Sequence, residues 1–156
     1  MRPLVVALAL TLAASVSAAA PDCPRWRSAL LQMPTRTMVI EVDGATQRVP
    51  VKLARDGEQQ AAGFQCATRR EIEQTLILFD FGTEIMTAFH MQNVVAPLDI
   101  AFAKADGRVF AVQRMAPSPT TLYQPLGAFR YALEARAGFL EQAGIRAGSA
   151  RIVLAP

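Results

Sequence analysis

The fold of this chain is decided by FHMQNVVAPLDIAFAKADG, residues 89–107. From residue 98 to residue 104 the side chains divide into two different faces, as in a β-strand. The run ends at Asp106–Gly107, a dipeptide that favours a tight turn because glycine adopts positive φ at little cost. The stretch therefore predicts the first strand and the turn of a β-hairpin.

The length of this turn determines which residues of the hairpin face each other. A two-residue loop places Asp99 opposite Arg114 and Lys104 opposite Val109. A three-residue loop places Asp99 opposite Gln113 instead. We favour the first register, because it pairs opposite charges across the strands.

The rest of the chain carries similar local signals. Asp43–Gly44 predicts another hairpin, and Pro50 in its second strand predicts an edge strand or a bulge. Capping-box patterns at residues 56–59 and 68–71 predict two short helices, and residues 116–127, with three prolines, predict a loop. The fold class is therefore mainly β (α+β), a compact antiparallel β-barrel or sandwich with short helical inserts.

The N-terminus predicts export. Residues 1–19 have the layout of a secretory signal peptide, with a basic start, an apolar run and small residues at the end. The apolar run is shorter than the roughly 20 residues that span a bilayer, so we expect cleavage; an uncleaved anchor is the alternative. We expect an N-terminal arm at 20–36, lying over the surface of a single domain at 37–156, with no membrane span after cleavage.

The two cysteines, Cys23 and Cys66, fit an oxidising compartment. There a lone pair most simply forms one disulfide, although Cys66 as a reactive thiol is an alternative. We expect a periplasmic or secreted protein. The formal net charge of +3 is small and scattered, so nucleic acid is not an expected partner.

The polar residues that could form a functional site lie mainly within residues 89–107. His90 is the only histidine, which excludes a two-histidine metal site, and we expect no metal and no cofactor. His90 is either a structural or rim residue or a general base. Asn93 braces a turn or contacts a ligand, and together with Gln92 it marks the best place for a polar pocket.

Asp99 is the second candidate. Ala101 and Ala103 share its strand face and leave space for a concavity that contains a carboxylate. The alternative is that Asp99 accepts hydrogen bonds from backbone N–H groups at the strand entry, as a buried carboxylate must. The ligand-binding candidates are thus Asn93, Asp99, His90, Gln92 and Arg114.

The run FHMQNVVAPLDIAF, with a DG pair soon after it, resembles the hallmark of the DUF192 family. In that family an aromatic residue, Met, Asn and then PLDIxF recur in this order. Further matches are RDGEQQAAG with Gly63, LILFDF, and YALEARAGFLEQAGIRAGSARI, so the resemblance covers most of the chain from about Met38 to Leu154. It implies a compact β-rich fold with a barrel-like sheet, often behind a signal peptide, and it implies no activity.

The motif match carries the family pattern onto Phe89, Met91, Asn93, Pro97, Asp99 and Gly107. Two departures stand out. His90 lies where many relatives have Trp, and GFQCA at residues 63–67 replaces a more usual Gly-Leu-Met. His90 and Cys66 are therefore features of this branch.

Three functional hypotheses follow. The leading one is a non-enzymatic exported domain that binds a small molecule, a glycan or an envelope protein. The alternative is a carboxylate-dependent hydrolase or lyase that uses Asp99 with Glu134 or another acid, and His90 in a supporting role. The third is a structural or assembly factor without a pocket.

Overall fold

The fold combines one large sheet, one small sheet and four short helices. A computed structural model describes residues 22–156. The helices are α1 (Cys23–Gln32), α2 (Gly57–Ala62), α3 (Arg69–Gln74) and α4 (Phe139–Gln142). The strands are β1 (Thr35–Val42), β2 (Ala45–Ala54), β3 (Ile77–Ile85), β4 (Phe89–Met91), β5 (Leu98–Ala103), β6 (Val109–Met115), β7 (Ser118–Tyr123), β8 (Phe129–Arg136) and β9 (Ala150–Leu154). The predicted signal peptide at 1–19 lies outside the described residues.

Seven strands form the large sheet in the order β6-β5-β8-β3-β2-β1-β9, and β4 pairs with β7 separately. All neighbouring pairs are antiparallel except β2 and β3, which run parallel. The sheet curls until an isolated bridge joins Arg108 to Arg151, but no continuous ladder closes it. The predicted mainly β fold is confirmed, and the arrangement is sandwich-like rather than a closed barrel.

Each face of the large sheet supports its own apolar core. Side chains alternate between the faces, so consecutive residues such as Leu78 and Phe79 enter different cores. The first core lies under α1, α2 and α3 and includes Phe79, Phe102 and Phe129. The second lies under α4 and includes Leu78 and Leu133.

Local capping chemistry accounts for the two short helices between β2 and β3. The Asp56 side chain accepts the Gln59 N–H at 2.8 Å, and the Thr68 side chain accepts the Glu71 N–H at 3.2 Å. In both helices the third-position side chain bonds back to the cap backbone. Both predicted helices are confirmed. Pro50 also lies where an edge was predicted, because β3 pairs with β2 only at residues 52–54.

The predicted N-terminal arm is instead a helix that contributes to the core. Residues 23–32 form α1, whose Ala29 and Leu30 are buried with Met33 in the first core. Cys23 and Cys66 lie at disulfide distance, with Cα atoms 5.4 Å apart. This pair ties α1 to the segment between α2 and α3, as the sequence predicts.

The proline-rich stretch at 116–127 was predicted to be a loop, and that prediction is wrong for residues 118–123. Residues 118–123 form β7, which pairs with β4 through Phe89–Tyr123 and His90–Leu122. The Ser118 hydroxyl accepts the Thr121 N–H at 3.0 Å and bends the strand start. Pro119 is tolerated there because a two-stranded sheet leaves one side of each strand unpaired.

The hairpin of β5 and β6 has the predicted register at the end away from its turn. Asp99 faces Arg114, but Val109 faces Ala103 rather than Lys104, because the ladder shifts by one residue near the turn. The loop has three residues, because the Lys104 N–H donates to Arg108 O at 3.0 Å, and Phe110, which has no partner on β5, restores the two-residue register beyond it. Gly107 has φ of +85°, and a Cβ there would lie 2.5 Å from the Ile152 carbonyl oxygen, so the turn is fitted tightly against β9.

Candidate functional site

A cavity of about 280 Å³ lies on the first-core face of the large sheet. Its walls come from α2 and the residues after it, from β3, and from the segment that leads into and past β4. The lining residues are Gln60, Ala61, Ala62, Gly63, Phe64, Gln65, Phe79, Phe81, Thr87, Ala88, Phe89, His90, Val94 and Glu134. The wall is mixed, because apolar side chains alternate with five polar ones, Gln60, Gln65, Thr87, His90 and Glu134.

Glu134 is the ionisable group deepest in this cavity. It sits on β8 between Ile77 of β3 and Ile100 of β5, and only 4% of its surface is exposed. Among residues 22–156 its Oε2 atom has no hydrogen-bond partner. Burial raises the pKa of Glu134 to about 8, because the charged form loses its hydration. The side chain is therefore predominantly a neutral carboxylic acid at neutral pH.

Three of the four phenylalanines in the wall, Phe79, Phe81 and Phe89, form an aromatic cluster. The Phe79 and Phe89 rings meet edge to face with centroids 5.2 Å apart, and Phe81 stacks on Phe79 at 6.3 Å. Such geometries suit the quadrupoles of the rings and fix their orientation. Gly63 passes close to this wall, since a Cβ there would lie 3.3 Å from Glu134 Oε2.

Two glutamine amides complete the wall, and their N–H groups are already engaged. Gln60 Nε2 donates to the carbonyl oxygens of Arg55 and Asp80, both at 3.3 Å. Gln65 Nε2 donates to Ala61 O at 2.7 Å, and Gln65 Oε1 accepts from Asn93 Nδ2 at 3.0 Å. These bonds hold both amides in place.

Asp80 anchors the strand that carries Phe79 and Phe81. Its Oδ2 accepts from Arg55 at 2.9 Å, and its Oδ1 accepts from Arg130 and from the Gly82 N–H, both at 3.0 Å. Burial alone would raise the pKa of Asp80, but the hydrogen bonds from Arg130, Gly82 and Arg55 outweigh it and lower the pKa below its usual value. Asp80 is thus a buried carboxylate held in its charged form.

We expect Asp80→Asn to lower the free energy of unfolding by about 2–3 kcal/mol at neutral pH, because charge-assisted hydrogen bonds to a buried carboxylate are lost. Urea unfolding measures the change. Asp43→Asn, at an exposed turn, is the matched control and should stay within about 0.5 kcal/mol of wild type. Equal effects of the two substitutions would contradict the anchoring role. 

A broader groove adjoins the cavity, and three of the predicted candidates line it. His90 belongs to both, while Gln92 and Asn93 line the groove together with Trp26 and residues 117–119. His90 Nδ1 accepts the Gln92 N–H at 3.3 Å.

Asn93 holds the two walls of the groove together. Its backbone has φ of +58°, its carbonyl accepts the Cys66 N–H at 2.8 Å, and its side chain bonds to Gln65. Both readings of Asn93 from the sequence therefore have a basis: it braces a turn, and it lines a groove.

Asp99 and Arg114 lie elsewhere, on the second-core face. The Arg114 Nε–H donates to Asp99 Oδ1, and the Gly138 N–H donates to Oδ2 at 2.7 Å. They line a shallow depression with Leu140 and neighbouring residues around α4. Both Asp99 oxygens thus accept hydrogen bonds, and one donor is a backbone N–H, as the second alternative for Asp99 expects. That N–H belongs to Gly138 rather than to the strand entry.

The particular pairing of Asp99 with Glu134 as two catalytic acids is wrong. Asp99 is registered with Ala135, whereas Glu134 is registered with Ile100. Consecutive residues of a strand point to opposite faces, so the two carboxyl groups lie on opposite sides of the sheet. A two-acid mechanism needs both groups on one side, about 5–10 Å apart.

Residues 22–156 contain neither a cluster of metal ligands nor a membrane-spanning helix. Between residues 22 and 156 no three His, Cys, Asp or Glu side chains come together as metal ligands would. In the same range no helix has the length and apolar character to cross a membrane.

The sequence interpretation missed the centre of the cavity. Gln60, Gln65 and Phe81 were not singled out, and Glu134 was named only as a partner for Asp99. Glu134 did carry a signal, since it is the only acidic residue in the strand segment AFRYALEA and lies between Leu133 and Ala135.

The fold and the cavity define a small β-rich domain with one buried acid facing an aromatic-lined space. The DUF192 family model, whose members are described only as uncharacterised, matches residues 38–152. The chain therefore belongs to the DUF192 family. No curated protein matches it.

Two solved structures share the fold. One is a protein described as a candidate transcription regulator from Sinorhizobium meliloti 1021, with a TM-score of 0.70 and 25% identity, covering 78% of this chain and 95% of that one. The other is a protein of unknown function from Novosphingobium aromaticivorans DSM 12444, with a TM-score of 0.67 and 25% identity, covering 76% and 84%.

Proposed function

We propose that this protein is a non-enzymatic binding domain whose ligand is a small molecule held in the cavity at Glu134. The observation that carries the proposal is the unpartnered Oε2 of Glu134, buried at the wall of a cavity. A buried polar atom without a partner costs about 1–3 kcal/mol, and a ligand that supplies the partner recovers that cost. Of the predicted ligand classes, a small molecule fits the enclosed shape better than a glycan or an envelope protein.

The contacts of the wall support binding rather than turnover. Proton transfer to a substrate needs a second group that acts on the reacting atoms, and Asp99 lies across the sheet. His90 is the other titratable residue of the cavity wall, and its Nδ1 is occupied by the Gln92 N–H. A hydrolase or lyase is therefore the weaker candidate.

Export is part of the same proposal. The Cys23–Cys66 pair at disulfide distance supports an oxidising compartment, in line with the signal-peptide pattern at 1–19. The protein then meets its ligand in the periplasm or outside the cell. The absence of nucleic acid among its partners stays a prediction.

Filling the cavity tests the proposal. Wild type and the Ala88→Phe variant are compared by thermal unfolding against a panel of small metabolites and cell-wall fragments. Ala88 is half-buried in the wall, so a phenyl ring there occupies ligand space. A ligand present at about 100 times its Kd should raise the Tm of wild type by several degrees and leave Ala88→Phe unshifted.

Ala45→Phe is the matched control, since Ala45 is exposed and is not part of the cavity wall. It should respond to ligands as wild type does. The proposal is contradicted if ligands stabilise wild type and Ala88→Phe equally, or if no compound of the panel shifts wild type.

A further inference from the structure

We infer that the ligand of this cavity is a small organic cation that carries a primary ammonium group, an inference that rests on the proposed function. Four features of the wall lead to this class: its size, its charges, its hydrogen-bonding groups and its aromatic rings.

The size of the cavity sets an upper limit on the ligand. At about 280 Å³ it lies just below the usual range of roughly 300–1,000 Å³ for small-molecule pockets. A single ring or a short chain with one polar end fits this space, whereas an oligosaccharide does not.

The charges of the wall favour a cation. Among the cavity-lining residues of the described chain there is no Arg or Lys, and the titratable groups are Glu134 and His90 alone. The His90 Nδ1 atom is already engaged by the Gln92 N–H. The Asp80 carboxylate on β3 does not face Glu134, since Asp80 points away from the face of Phe79 and Phe81, and Arg55, which follows β2, pairs with it there. An anion would thus find no opposite charge, while a cation finds a carboxyl group able to ionise.

The hydrogen-bonding groups of the wall select a donor. The amide nitrogens of Gln60 and Gln65 already bond to backbone carbonyls, whereas Glu134 Oε2 is free. An ammonium group brings three N–H donors and needs acceptors. A charge-assisted bond to a carboxylate is roughly twice as strong as a neutral one.

The aromatic rings suit the same ligand. Phe79, Phe81 and Phe89 line one cavity, and ring faces attract cations through their quadrupoles.

Binding of an ammonium ligand changes the protonation of Glu134 in a defined way. The ligand arrives as R–NH₃⁺, the Glu134 carboxyl loses its proton to the buffer, and the carboxylate accepts a hydrogen bond from the ammonium group.

Isothermal titration calorimetry near pH 6.5, in two buffers with different ionisation enthalpies, tests this inference. The probes are benzylammonium chloride, benzyl alcohol and sodium benzoate, which share one ring and differ in charge. Benzylammonium should bind at least about 10-fold more tightly than the other two. Its binding should release close to one proton, because Glu134 is protonated beforehand.

Two variants complete the test. Glu134→Gln should bind benzylammonium at least about 10-fold more weakly and release no proton. Phe81→Leu should weaken benzylammonium by a larger factor than benzyl alcohol, because only the cation loses the attraction of a ring face, and this ratio decides the question even if Glu134→Gln does not fold.

The inference is overturned if benzyl alcohol or benzoate binds as tightly as benzylammonium, if benzylammonium binds without proton release, or if it does not bind. Neutral ligands that bind wild type but not Ala88→Phe would leave the proposed function standing and reject only the cation. If no compound of either set binds, both fail.

Discussion

Between about pH 5 and about pH 9, wild type is expected to lose roughly 3–5 kcal/mol more of its unfolding free energy than Glu134→Gln does. The cause is the buried carboxyl of Glu134, whose pKa rises from 4.5 in the unfolded chain to about 8 in the folded protein. Each pKa unit corresponds to about 1.4 kcal/mol.

The sign follows from proton binding. Between the two pKa values the folded protein keeps the Glu134 proton and the unfolded chain has lost it. The unfolded state then binds fewer protons, so stability decreases as pH rises. The contribution of the neutral carboxyl is complete below 4.5 and is lost as pH rises through about 8.

Urea unfolding of both proteins across this pH range measures the difference. Glu73→Gln, at an exposed position of α3, is the control and should follow the wild-type pH profile. Parallel profiles for wild type and Glu134→Gln would show that Glu134 titrates normally and is not buried as described.

Reduction of the disulfide is expected to lower the unfolding free energy by about 3–4 kcal/mol. Cys23 and Cys66 are separated by 43 positions, and cross-linking them removes loop-closure entropy from the unfolded chain. The bond also holds α1 on the first core, next to the segment that carries Gln65.

The urea midpoint of wild type with and without a phosphine reductant measures this effect. The double variant Cys23→Ser/Cys66→Ser is the control, and the reductant should not change its midpoint. An unchanged midpoint for reduced wild type would mean that the cross-link does not contribute to stability.

Features fixed by neighbouring residues were predictable from the sequence. The caps at Asp56 and Thr68 act within one helical turn, and the turn at Gly107 needs only positive φ. The Asp99–Arg114 pair was predicted from a two-residue loop, but it arises from a three-residue loop followed by a bulge at Phe110, which the sequence did not signal.

Features that depend on distant partners were not predictable. β7 forms because β4 pairs with it, and the β-forming residues Thr120, Thr121 and Tyr123 are masked in the sequence by Pro119 and Pro125. Glu134 has a polar side chain on a strand, which usually indicates a solvent face. It is buried because residues 57–94 cover that face, and this packing is tertiary information.

The predicted site residues lie in two separate places for the same reason, because tertiary packing rather than sequence position determines where they lie. His90, Gln92 and Asn93 line the groove, while Asp99 and Arg114 line the opposite face of the sheet. Their closeness in sequence suggested one site, but the chain passes from β4 into β5 between them.

The most direct test of the central claim is a carbon-13 NMR titration of the Glu134 side-chain carboxyl, assigned by comparison with Glu134→Gln. The account predicts a midpoint near pH 8 in the free protein, and a clearly lower midpoint when benzylammonium occupies the cavity. A midpoint near 4.5 in the free protein, unchanged by benzylammonium, would contradict both the buried acid and its role in binding.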